Sequence, residues 1–180
     1  MVSPDNTRTR IVVDPVALLK REHRMILDRL MMVETAMSSC SVGNDSATQT
    51  NRETLHELLE FFTGPVDVHF TREAMLVGSL RRIFRRKQEE QQQFQSFLDE
   101  HRALKADAIA VLRRLARKDG QDRAAPTACG ELRTLTGALH ALIHRYRELI
   151  VCEERLLFTL AEMRFTAEQR RRISRRMLQV

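Results

Sequence analysis

Three histidines and two glutamates in this chain stand where apolar residues are expected. His23, His69, Glu73, His101 and Glu153 each fall in line with Leu, Ile, Val or Phe residues spaced by alternating threes and fours, the pattern that lays one helix face against its neighbours. A histidine or carboxylate on such a seam must find a partner or carry a desolvation cost of several kcal/mol. His69 and Glu73 are four residues apart, so they project from one face, one turn apart, with the spacing of a chelating pair. Imidazole and carboxylate together suit iron, manganese or zinc, and inward-facing Glu and His from several helices are how a helical bundle builds a dinuclear carboxylate site. A metal-free reading uses the same residues, as a buried network in which the three histidines hydrogen-bond the two glutamates. Tyr146, the single tyrosine, also lies on a seam, either as a core residue whose hydroxyl bonds a carboxylate or as a further ligand.

The elements that must position these residues follow from the stripes. The first stripe is Val16, Leu19, His23, Ile26, Leu30, Val33, Met37, opening after Asp14 as a cap with Pro15 at the first helical position and ending near the loop Ser38 to Thr50. The second is Leu55, Leu58, Phe62, Val66, His69, Glu73, Leu76, Leu80, with Gly64-Pro65 expected to kink or break it just before His69. The third is Phe94, Phe97, His101, Leu104, Ala108, Val111, Leu115. After a polar turn from Lys118 to Pro126, the fourth is Leu132, Leu135, Leu139, Leu142, Tyr146, Leu149, Glu153, Leu156, Leu160. Four such stripes predict an all-α fold, an antiparallel up-down-up-down four-helix bundle. A short fifth helix, about Ala167 to Leu178, is expected outside it. The expected division is an N-terminal arm over 1–13, the bundle over 14–163 and a basic C-terminal helix over 164–180. His56, His140 and His144 fall beside the stripes and read as surface residues.

Composition agrees with one helical globular domain. The 180 residues are 43% hydrophobic and 30% charged, and 6 Gly with 4 Pro leave few helix breakers. No apolar run approaches the ~18 residues needed to cross a bilayer, and the polar start has no signal-peptide stretch, so a cytoplasmic protein is expected. Three cysteines, Cys40, Cys129 and Cys152, form no CxxC pair and read as reduced thiols. No Gly-rich phosphate loop, dinucleotide fingerprint or nucleophile beside a seam histidine is present. The net charge of +6 is concentrated in two runs, Arg81 to Lys87 and Arg170 to Arg176. Such runs either complement a helix C-terminus or attract nucleic acid or an anionic membrane.

The chain also repeats itself. Glu22-His23-Arg24 recurs as Glu100-His101-Arg102, and the segment from His69 to Leu80 aligns with Leu149 to Leu160, as in two duplicated helical hairpins. With EH and HxxxE in the first half and EH and a final Glu in the second, the segment from Asp14 to Met163 resembles the hemerythrin-like, or HHE cation-binding, family. The resemblance implies a four-helix bundle holding two non-haem irons, oxo- or hydroxo-bridged, with His23, His69 and His101 as nitrogen ligands and Glu73 and Glu153 as bridging carboxylates. It implies that the protein binds or senses O2, peroxide or nitric oxide.

Two departures qualify that expectation. Leu149 stands where the second HxxxE would begin, and Phe97 is apolar where oxygen-carrying members place another histidine. At 100° per residue, Tyr146 lies about 60° from Leu149 and about 20° from Glu153, so it is better placed than His140 or His144 to fill the position unless a π-bulge rotates the helix. A phenolate ligand favours ferric iron, which argues against simple oxygen carriage and for peroxide disproportionation or redox sensing. The competing expectation is a metal-depleted binding module acting through its basic segments on nucleic acid or another anionic partner.

Overall fold

The structure, a computed structural model, describes residues 13–40, 45–117 and 128–180. The expected arm, apart from Val13, and the polar turn after the third stripe lie outside the described residues. Every regular element among those residues is helical: α1 (Pro15–Cys40), α2 (Asp45–Glu60), α3 (Pro65–Ile83), α4 (Gln88–Arg117), α5 (Ala128–Cys152), a π-helical segment (Glu153–Phe158), α6 (Thr159–Arg164) and α7 (Ala167–Met177). No described helix is long and apolar enough to cross a membrane.

The first stripe forms α1 as its residues dictate. Asp14 Oδ1 accepts from the backbone N–H groups of Val16 and Ala17 at 2.9 and 3.1 Å, satisfying donors that the first turn leaves unpaired. Helix extends over residues 38–40 and 45–50, so the loop expected from Ser38 to Thr50 is shorter than its composition suggested.

The second stripe is one bundle helix in two pieces. Pro65 has no N–H to give the carbonyl of Phe61, which accepts instead from Val66 N at 3.1 Å, and α3 restarts with Pro65 at its first position. A Cβ on Gly64 would meet only the Glu60 carbonyl at 3.6 Å, an ordinary contact. The break therefore belongs to the proline. All eight stripe residues on either side of it are buried, so the interruption costs the seam nothing.

The fourth stripe departs from expectation at one place. From Leu139 to Glu153 it holds: Leu139, Leu142, Tyr146, Leu149 and Glu153 are buried and Leu135 is half-buried, while the side chain of Leu132 lies outside the described residues. Over Glu153–Phe158 the helix widens to π geometry, and the Thr159 hydroxyl donates to the Glu154 carbonyl at 3.3 Å. A π turn holds more residues than an α turn, so the buried face passes to Leu157, Phe158 and Ala161, while Leu156 is 41% exposed. The expectation that Leu156 and Leu160 continue the core fails for this reason; Leu160 is only half-buried.

α7 packs against α1 and α3, so the expected outlying helix is docked. Its Thr166 cap and Gln169 make a reciprocal capping box. Ile173 and Met177 are buried, each contributing about 1.5–3 kcal/mol. Ser174 donates to the Val13 carbonyl, and Arg170 pairs with Asp14 at 3.3 Å.

Candidate metal centre

α1, α3, α4 and the π segment each deliver part of one buried cluster. His23 from α1, His69 and Glu73 from α3, His101 from α4 and Glu153 from the π segment are all at most 5% exposed. The Nε2 atoms of the three imidazoles converge on the two carboxylates. Glu73 accepts from His23 at 3.2 Å through Oε1, and its Oε2 lies 3.3 Å from His69 and 3.2 Å from His101 without a hydrogen bond to either. Glu153 lies 2.6 Å from His101 and 3.4 Å from His23. Two donor triads result, His23/His69/Glu73 and Glu73/His101/Glu153, each with ligand atoms within 4.8 Å of one another. Glu73 belongs to both.

The far nitrogens of two imidazoles are held by residues that the stripes did not single out. His69 Nδ1 donates to Glu22 at 3.0 Å, and His23 Nδ1 donates to Glu154 at 3.0 Å. A carboxylate on Nδ1 fixes ring orientation and tautomer and leaves Nε2 to face the cluster. Glu22 was visible in the EH pair, but only as a motif neighbour. Glu154 was not, because α-helical counting turns it away from the seam; it reaches His23 Nδ1 from the rim of the cluster, with its side chain partly exposed. Rings brace the same imidazoles: Phe70 stacks on His101 at 4.2 Å and Phe158 on His23 at 5.0 Å.

Electrostatics tie the five residues together. Burial pushes each imidazolium pKa down, and the carboxylates override it: Glu153 and Glu73 raise His23 to about 10 and His101 to about 9. For His69, Glu73 and then Glu22 raise the pKa to about 9. Burial works to raise the pKa of Glu73, but His69, His101 and His23 hold it well below the usual carboxylate range. Without a cation, protons on Nε2 occupy the space between nitrogen and oxygen. Even so, Glu73 Oε2 and Glu153 Oε2 are buried without a hydrogen bond among the described residues. Acceptors in that condition fit a cation.

No hydrogen bond joins Tyr146 to this cluster among the described residues. Its ring packs on Phe62 at 5.1 Å and lies parallel to Phe70 at 6.2 Å, and its buried hydroxyl has no hydrogen bond among the described residues. Burial raises its pKa, and the charges it feels are those of Arg145 and Asp107 rather than Glu73 or Glu153. Leu149, at the missing-ligand position, is buried. His140 and His144 are exposed, as expected, and His144 lies 3.3 Å from Glu148.

A cavity of about 360 Å³ opens beside the cluster, walled by Phe61, Val66 and Leu178 and reaching Glu22, His69 and Arg72. Arg72 pairs with Glu22 and donates through Nε to the Met177 carbonyl at 2.9 Å. The end of α7 is thus joined to His69 through two side chains.

No curated protein and no solved structure matches the chain. The profile of the hemerythrin HHE cation binding domain matches residues 14–161, which include every residue of both donor triads. On that match, and with a helical bundle and a buried His/Glu cluster to account for it, the chain belongs to the hemerythrin HHE cation-binding family.

Proposed function

We propose that this protein holds two non-haem irons between His23, His69, His101, Glu73 and Glu153, and uses them to react with or sense O2, hydrogen peroxide or nitric oxide. The observation that carries the proposal is the sharing of Glu73 by two donor triads whose inner carboxylate oxygens lack enough hydrogen-bond donors. A carboxylate common to two triads is the arrangement by which one side chain bridges two cations.

Three imidazoles and two carboxylates cannot fill the coordination of two irons, so bound iron supplies redox-active Lewis-acid positions open to a small molecule. The chain supplies everything else. Glu22 and Glu154 hold the Nδ1 protons of His69 and His23, so that both rings present Nε2. Phe70 and Phe158 cover two imidazole faces and keep water from them. The cavity beside His69 gives a small uncharged molecule a mostly apolar approach from the α2–α3 break.

Elemental analysis of untagged protein after anaerobic reconstitution with ferrous iron tests the proposal. Iron approaching two per chain, lost in Glu73→Gln, is the expected result. Little or no iron in the parent protein would leave the cluster as a metal-free ionic network and end the proposal. Given iron, a visible absorbance change on adding peroxide or nitric oxide is expected; an inert spectrum would reject the reactive role while leaving the cation site.

A further inference from the structure

The two basic runs, about ninety residues apart in sequence, meet in the fold. A cavity of about 300 Å³ lies between the C-terminal half of α3 and the first half of α7, with Arg82 from one run and Arg172 from the other in its wall. Ser79 and Gln169 supply further polar groups, and Ile83, Phe165 and Ile173 supply an apolar side. From this we infer a binding site for a small phosphorylated molecule, with its phosphate between Arg82 and Arg172 and its organic part beside Ile83, the exposed apolar residue of the wall.

Helix dipoles do not account for both arginines. Arg82 is in the last turn of α3, where a cation is favourable, but Arg172 sits midway along α7 and follows Arg170 and Arg171 in its first half, where the dipole disfavours positive charge. Nor are they neutralised by the protein. Arg72, Arg145, Arg147 and Arg170 each pair with a carboxylate, whereas neither Arg82 nor Arg172 makes an ion pair or hydrogen bond among the described residues. Glu168, one turn before Arg172 on the same helix, makes no ion pair with it.

The helices that carry the site are fixed: Phe165 and Ile173 are buried, and Arg170–Asp14, Ser174–Val13 and Arg72–Met177 fasten α7 to the bundle, so the ordering cost of binding is confined to the exposed side chains of Arg82 and Arg172. Gln169 uses its carbonyl oxygen to accept from Thr166 N, which leaves its amide hydrogens to donate. Ser79 donates to the Met75 carbonyl and so presents its lone pairs rather than its proton. Two guanidinium forks match the charge of a dianionic phosphate. The volume exceeds that of a bare phosphate, and the space beside Ile83 leaves room for the remainder.

Isothermal titration calorimetry at low ionic strength, with inorganic phosphate and phenyl phosphate as probes, tests this on the whole protein. Both should bind, phenyl phosphate about twofold more tightly for the limited apolar surface beside Ile83, and Arg82→Gln with Arg172→Gln together should weaken both by at least about tenfold. The control Arg86→Gln with Arg176→Gln removes the same charge outside the cavity and should leave binding within about twofold. Equal losses in the two double variants would show general basicity and overturn the site. So would no detectable binding of either probe, or retention of a DNA duplex that depends equally on all four arginines.

Discussion

Glu22 accepts from His69 Nδ1 at 3.0 Å, while Glu100, its counterpart in the repeat, accepts from Arg145 at 2.9 Å. The contrast follows from Leu149. In the first hairpin the glutamate of the EH pair braces the histidine of HxxxE. In the second that histidine is a leucine, and Glu100 turns to a guanidinium one turn earlier on α5, which Asp107 also binds. The freed carboxylate thus marks which half of the centre lost a ligand.

Leu149→His should give Glu100 back its imidazole partner and add a nitrogen donor on the His101 side. We expect cation affinity there to rise by at least about tenfold, measured by metal titration against the parent protein. An unchanged titration would mean that the second hairpin has lost more than one side chain.

Glu22→Gln keeps the shape but removes the charge that braces His69 and pairs with Arg72. Cation affinity should fall about 10- to 100-fold, with a loss of about 1–3 kcal/mol in the metal-free chain because Arg72 and His69 both lose a charged acceptor. Denaturant melts with and without metal separate the two effects. Wild-type affinity in the variant would remove Glu22 from any part in the centre.

Acidity provides another check. With His23 at about 10 and His69 and His101 at about 9 in the folded, metal-free chain, against 6.5 unfolded, their stabilising contribution is full below about pH 6.5. It is lost as pH rises through 9 to 10. A cation reverses the trend, because Nε2 must release its proton to bind, so binding tightens with pH. Thermal melts with and without zinc, a redox-inert probe, should therefore diverge from about pH 6.5 upward. A zinc-induced gain that shrank over that range would contradict the assigned nitrogen ligands.

Tyr146→Phe decides the phenolate expectation. The hydroxyl is buried without a hydrogen bond among the described residues, so its removal should leave iron content and visible spectrum unchanged and raise stability by about 1 kcal/mol. Loss of a visible band or of iron would place the phenol on the metal after all.

Most of the seam was legible because burial in a bundle imposes the threes and fours that the sequence displays. His23, His69, Glu73, His101 and Glu153 stood out as polar interruptions of an apolar period, and the break before His69 stood out through Pro65. The exposure of Leu156 and the contact of Glu154 with His23 were not legible, because nothing in the composition of Glu153–Phe158 signals a turn wider than 3.6 residues. The meeting of Arg82 with Arg172 escaped for a different reason: it depends on how α7 docks against α3, which is fixed by long-range packing of Ile173, Ser174 and Met177.

The wide turn also sets how the two hairpins share their work. After Glu73 the first hairpin buries Leu76, Val77 and Leu80; after Glu153 the second buries Leu157, Phe158 and Ala161, the same pattern displaced by one residue. The extra residue that a π turn holds accounts for that displacement, and it is taken up at the centre itself, sparing the core beyond. The two halves thus divide their duties: the first supplies the chelating pair, and the second supplies Glu153 to the cluster and its neighbour Glu154 to His23 Nδ1.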